Sequence, residues 1–165
     1  MTLTANDLER LDPFSRATAE RLAQRFPDLG EGAWLETEEG DDEPFIVAQW
    51  PAPDDRGCDL ELSTYGGEVT LSTRFWHEHS SLLEPAEGQD GIDAALDLLE
   101  QLMRGKVRPA IVFRDGEWFR SQSVHSDSEL FQLRSELGPT DWLWVRSHDG
   151  SSSMESGAGP RPDDL

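Results

Sequence analysis

Asp59-Leu60-Glu61-Leu62-Ser63-Thr64-Tyr65-Gly66-Gly67-Glu68-Val69-Thr70-Leu71-Ser72-Thr73-Arg74-Phe75 is the stretch on which the reading of the fold turns. Leu60 and Leu62 alternate with Asp59, Glu61 and Ser63; beyond the Tyr65-Gly66-Gly67 turn, Val69, Leu71, Thr73 and Phe75 alternate with Glu68, Thr70, Ser72 and Arg74. Successive side chains on a strand point to opposite faces, so a period of two gathers the apolar residues on one face and the polar ones on the other. Such alternation predicts an antiparallel sheet with one wet side. Helices are expected to cover the other. The fold class that follows is α+β: a single domain with a mainly antiparallel β-sheet covered on one face by helices.

Working outward from this stretch, Thr4 and Asp7 resemble a capping box, followed by Leu8 and Leu11 at helical spacing until Pro13 interrupts. Ser15 restarts or continues the helix, and Ala19, Leu22, Ala23 and Phe26 form an apolar stripe that ends at Pro27, giving an N-terminal helical segment over 4–26. Strands are expected at 33–37 and 45–50, paired across the acidic turn 38–43, with a polar loop at 51–57. The main core helix starts near Asp90, carries Ile92, Ala95, Leu96, Leu99, Leu102 and Met103 on one face, and stops at Gly105. Asp115-Gly116 is the strongest hairpin signal, between Ala110–Phe113 and Trp118–Ser121. Ser126 and Glu129 cap a helix through Leu130, Leu133 and Leu137 that Gly138-Pro139 terminates, and Trp142–Arg146 is the last strand expected. From His148 onward Ser, Gly, Pro and Asp dominate. The expected organisation is therefore one domain over 1–147 and a disordered tail over 148–165.

Charge bounds the function. The 165 residues carry 34 acidic against 14 basic side chains, a formal net charge of −20. A surface so negative repels nucleic acid and anionic membrane and steers basic partners toward itself. Between Asp28 and Glu61 lie 12 of the acids and a single basic residue, Arg56. A salt-rich host would produce the same acidity with no partner involved. Six Trp and seven Phe supply large side chains for a packed interior. One cysteine, Cys58, allows no internal disulfide and reads as a reducing compartment. The polar N-terminus lacks the pattern of a secretory signal, and no stretch approaches the roughly 18 apolar residues of a membrane helix. A cytoplasmic location is expected.

Sequence signals for catalysis are weak. His77 and His79 follow a strand and share a face, so both imidazoles could bind one metal ion, with His125, His148 or an acid as a further ligand. The pair matches no zinc signature, and a structural role at a sheet end is the preferred reading. No G-x-S-x-G, P-loop or H-E-x-x-H occurs. No catalytic residue, cofactor or metal is assigned. Trp34, Trp50, Trp118 and Trp144 lie in apolar strand contexts and are read as core. Trp76 and Trp142 stand at strand ends and are candidate anchors for a partner. With them, Glu36, Glu38, Glu39, Asp41, Asp42, Glu43, Asp54 and Asp55 make up the candidate partner-binding set.

A resemblance adds to this. The order Gly67-Glu68-Val69-Thr70-Leu71, His77-x-His79, a Leu-rich acidic helix, Gly105 turning into a strand to Phe113, an Asp-Gly hairpin and a late Trp144-Val145-Arg146-Ser147 strand resembles small acidic bacterial immunity proteins of polymorphic and contact-dependent toxin systems. It covers about residues 58–147. The resemblance implies a single α+β domain without catalytic activity that binds a toxin domain tightly and blocks it. His77 and His79 match the family's recurrent pair. At His148-Asp149-Gly150 the chain departs from the Trp-Arg-Gly that often follows the Arg-Ser there.

Charge and resemblance converge on a binding protein whose partner is a basic cytoplasmic toxin domain such as a nuclease, because nucleases must hold phosphate. An acidic nucleic-acid mimic is the first alternative. It needs acids in regular rows, whereas these concentrate in loops. A metal-dependent enzyme built on the histidine pair is the second. Neither a nucleic acid nor a membrane is an expected partner, and the oligomeric state stays open.

Overall fold

The computed structural model describes residues 3–27, 32–38 and 43–162. Within them the alternating stretch forms antiparallel strands, as its period demands. Strands β1 (Ala33–Glu36), β2 (Phe45–Trp50), β3 (Leu60–Ser63), β4 (Thr70–Ser72) and β5 (His77–His79) line up in that order in one sheet. Leu62 sits opposite Ala48 on one side and Leu71 on the other, and Leu35 opposite Ile46. Ile46, Ala48, Leu60, Leu62 and Leu71 are buried on this face. Each such aliphatic side chain larger than alanine contributes about 1.5–3 kcal/mol when fully removed from water. The opposite face carries Glu36, Gln49, Glu61 and Ser63. A second antiparallel sheet was not foreseen. It runs β7 (Glu117–Val124), β6 (Arg108–Arg114), β8 (Asp141–Arg146), β9 (Ser153–Gly157). The fold is thus α+β with two antiparallel sheets.

By density of contact the chain divides into two compact units. The first contains 1–50, 60–72 and 78–97, and the second 51–59, 73–77 and 98–165. In the first, α1 (Ala5–Arg10) has the expected Thr4–Asp7 capping box. Helix α2 (Pro13–Arg25) differs from expectation at its start: Pro13 opens it, and the Asp12 carboxylate caps it by accepting from the N–H groups of Phe14 and Ser15. A proline at the first helical position costs nothing, because its missing N–H would have no intrahelical partner there. The buried stripe is Ser15, Thr18, Ala19 and Leu22, one turn earlier than the apolar pattern suggested; Ala23 is exposed. The two hydroxyls enter the interior because both are bonded. Thr18 donates to the Phe14 carbonyl at 3.0 Å, and Ser15 shares a 2.7 Å hydrogen bond with buried Thr64. Thr64 also accepts the Ile46 N–H at 3.0 Å, which ties α2 to β2 and to the end of β3. Arg21 pairs with Asp90 at 2.6 Å and Asp93 at 3.1 Å, at the start of α3 (Gly91–Met103). Ile92, Ala95 and Leu96 are buried along this part of α3, as its spacing requires; Leu99 and Leu102, also buried, belong to the second unit.

In the second unit Asp115 and Gly116 both have positive φ, 54° and 87°, the type I′ geometry that matches the twist of a two-residue hairpin. Helix α4 (Asp127–Ser135) starts at Ser126, which accepts from Glu129 N–H, while the Glu129 carboxylate reaches back to the N–H of His125. Leu133 of α4, with Leu130 and Leu137 beside it, packs on Ala110, Val112, Val124, Leu143 and Val145.

Two expectations about extent are corrected. The strand foreseen through Phe75 ends at Ser72. Thr73 N–H bonds to the Trp76 carbonyl at 2.8 Å, and the turn delivers Trp76 to a site where 1% of it is exposed. The tail is not disordered over 148–162. His148 is buried with Nδ1 at 2.9 Å from the Cys58 carbonyl, and Ser153–Gly157 pairs with β8 as β9. Its glycines serve close approach: a Cβ on Gly157 would lie 2.3 Å from the Asp141 carbonyl oxygen, and one on Gly159 2.1 Å from that of Thr140. Among the described residues no helix is long and apolar enough to cross a membrane.

Candidate functional site

The outer face of β1–β3 is hollowed into an open groove of about 490 Å³ lined by Glu36, Thr37, Glu38, Phe45, Val47, Glu61, Ser63 and Tyr65. The strand register brings these residues together. Glu36 closes β1 opposite Phe45, and Val47 faces Ser63 across β2 and β3, while Gln49 faces Glu61. Residues two apart on a strand share a side, so Phe45, Val47 and Gln49 form one row and Glu61 and Ser63 the next. Tyr65 is placed by the turn after β3. Buried Thr64 anchors that turn through its bonds to Ser15 and Ile46, and Gly66 and Gly67 take φ of 72° and 75°, where a Cβ is strained. The Tyr65 ring meets Phe45 edge-on, with centroids 5.2 Å apart and planes at 63°. That is the preferred geometry for a ring pair.

The groove has an aromatic and aliphatic floor, carboxylates at its margins and hydroxyls between them. Glu61 is steadied by a 2.7 Å hydrogen bond from the Gln49 side-chain amide, a neutral donor that leaves its charge in place. Glu36 and Glu38 are exposed, and among the described residues no cation pairs with either. Neither histidine, cysteine nor a basic side chain lines the groove. It is therefore suited to holding a cation with an apolar stem.

The candidate partner-binding residues do not all gather here. Glu36 and Glu38 do; Glu43 is exposed ahead of β2. Glu39, Asp41 and Asp42 lie outside the described residues. Asp54 and Asp55 belong to the second compact unit. Asp54 is already paired: Arg56 bonds its carboxylate at 2.7 and 3.2 Å, and that side-chain bond, followed by the Arg56 backbone N–H, lowers its pKa. Trp76 cannot anchor a partner, being buried. Trp142 is half-buried in β8 between Phe113 and Gly157, with its indole nitrogen out of reach of solvent, and so does not project as an anchor. Conversely Trp118, expected in the core, is 53% exposed, and its indole N–H donates to the Phe75 carbonyl at 3.1 Å. A bulge between Val112 and Phe113 leaves neighbouring Phe119 facing the Arg114 guanidinium at 3.7 Å. Phe45, Glu61 and Tyr65 were missed as site residues. The signal that would have found them is the outward phase of the same alternation that revealed the core.

The histidine pair is divided in role. His79 Nδ1 lies 3.0 Å from both Glu68 Oε1 and Thr70 Oγ1, a local arrangement within the first unit, and His77 is exposed. Among the described residues no group of three or more His, Cys, Asp or Glu side chains is placed to hold a metal ion. Cys58 is buried, and burial, with Asp59 adding to it, pushes its thiol up to about 12. Such a thiol is a poor nucleophile.

What the fold and groove define is an α+β protein with an acidic, aromatic-floored face on a sheet. Compared with models of known families, with curated proteins and with solved structures, the chain matches none.

Proposed function

We propose that this chain is a binding protein that captures a basic protein partner, acting as an immunity protein that neutralises a toxin domain in the cytoplasm. The observation that carries the reading is the groove on β1–β3: Glu36 and Glu38, with no cationic partner among the described residues, beside exposed aromatic surface, and Glu61 further along, in a chain of net charge −20. Like charges across the whole molecule raise the encounter rate with a basic domain, and the groove supplies a place where that encounter becomes specific. Charge set at the rim of an interface acts mainly on association; aromatic contacts at its centre act mainly on dissociation. The resemblance to immunity proteins names the kind of basic partner, a nuclease-like toxin domain.

The test is binding kinetics between this protein and the product of the adjacent gene over a range of salt concentrations. Association should slow steeply as salt rises, and the combined Glu36→Gln, Glu38→Gln, Glu61→Gln variant should associate more slowly with a flatter salt dependence. If the neighbouring product is a toxin domain, its activity should be blocked stoichiometrically. Association indifferent to both salt and these substitutions, or no binding, overturns the proposal and returns the charge to solubility in a salt-rich host.

A further inference from the structure

The groove is more particular than a negative patch, and its chemistry distinguishes between the two basic side chains. Its floor is Phe45, Val47 and Tyr65, with Tyr65 47% exposed and its ring held edge-on against Phe45. Glu36 and Glu38 come from the end of β1 and the residues after it, with Glu36 opposite Phe45, whereas Glu61 lies on β3 opposite Gln49, four residues along the strand from Tyr65 and toward the other end of the groove. Ser63 and Thr37 add hydroxyl acceptors between them. A lysine ammonium is a compact, strongly hydrated charge that would keep its water above such a surface. A guanidinium is planar and weakly hydrated, stacks on a ring face and donates in a fork to carboxylates on either side. Planarity, stacking and several acceptors around one floor are the demands of arginine.

We infer that the β1–β3 groove is the receptor for an arginine side chain of the partner, its guanidinium stacked on Tyr65 beside Phe45 and its N–H groups directed to Glu36 and Glu38, with Glu61 adding negative charge at the other end of the groove. The inference rests on the reading above that the partner is basic and deepens it by assigning the site and the residue. The machinery that positions the floor is internal: Thr64, buried and bonded to Ser15 and Ile46, holds the turn that carries Tyr65. Guanidinium–ring contacts occur elsewhere in the protein, with Arg114 over Phe119 at 3.7 Å and Arg74 over the adjacent Phe75 at 4.9 Å.

The test uses the full chain and two probes, acetylated Gly-Arg-Gly-Arg-Gly amide and its lysine counterpart, titrated at low salt with amide chemical shifts as the readout. The arginine peptide should bind several-fold more tightly than the lysine peptide and shift resonances of Glu36, Val47, Glu61 and Tyr65. Tyr65→Leu, which keeps apolar bulk but removes the ring, should bring the two affinities to within about a factor of two by weakening the arginine peptide. The triple Glu→Gln variant should weaken both peptides. Circular dichroism and melting temperature verify that each variant is folded, and Phe119→Leu serves as a ring lost outside the groove, expected to change nothing. Equal affinity for the two peptides, shifts confined to other surfaces, or no saturable binding overturns the arginine assignment. Salt-dependent capture of the neighbouring gene product in any of these cases leaves the basic-partner reading standing, so the two failures are distinguishable.

Discussion

Acid should release one well-defined increment of stability from the β6–β8 ladder. Asp141 stands opposite Arg114, and its carboxylate accepts the Arg114 Nε at 2.8 Å, the Arg114 Nη2 at 3.1 Å and the Gly138 N–H at 2.9 Å. The Asp141 side chain is 3% exposed. The Arg114 side-chain bond, and after it the Gly138 backbone bond, draw its pKa from 3.8 down to about 2. A difference of nearly two units corresponds to about 2.5 kcal/mol. Arg114 is 45% exposed, so solvent and salt screen the pair and that figure is a ceiling. Because the folded pKa lies below the unfolded one, the contribution is complete above the unfolded value and is lost as pH falls from there through the folded value. The perturbation is Asp141→Asn, which keeps the shape and an acceptor for Gly138 N–H but removes the charge. Urea unfolding across a pH series should show the variant less stable at neutral pH by about 1–2 kcal/mol, with the gap closing toward about pH 2. The gap is the readout, since other lowered carboxylates such as Asp12, Asp90 and Asp149 titrate in both proteins. A gap that stays constant with pH, or none at neutral pH, refutes the reasoning.

Two further outcomes follow from the packing. Cys58, with its thiol near 12, should resist a disulfide-exchange reagent in the native protein at mildly alkaline pH and react at once when urea unfolds the chain; rapid native labelling would contradict its burial. Gly157→Ala forces a Cβ to within 2.3 Å of the Asp141 carbonyl oxygen, so it should cost about 1–3 kcal/mol in urea unfolding. A change of a few tenths would show that β9 is not needed for the β8 ladder.

Local signals determined a good deal of this protein. The Leu60–Leu71 alternation, the Asp115-Gly116 turn, the Ser126 cap and the Ile92–Leu102 spacing each specify an element from residues within one or two turns of each other, because backbone geometry alone sets periods of two and of about 3.6. Net charge, a property of composition, supports the proposal of a basic partner. Long-range contacts decided the rest. Ser and Gly beyond His148 carry no hydrophobic pattern, so nothing local announces β9; it forms because β8 offers an unpaired edge and Gly157 and Gly159 let the backbones meet. The strand-end context of Trp76 suggested exposure and the strand context of Trp118 suggested burial, yet Trp76 is buried by the turn from Thr73 and Trp118 lies on an exposed edge strand. The candidate site shows the same division. Glu36 and Glu38 stood out as charges, but Phe45, Glu61 and Tyr65 join them only through the pairing of β1, β2 and β3 and the Thr64 bonds that fix the turn. A groove is made from residues that register brings side by side, and register between distant strands is settled by the burial of their inner faces, which a single stretch of sequence does not contain.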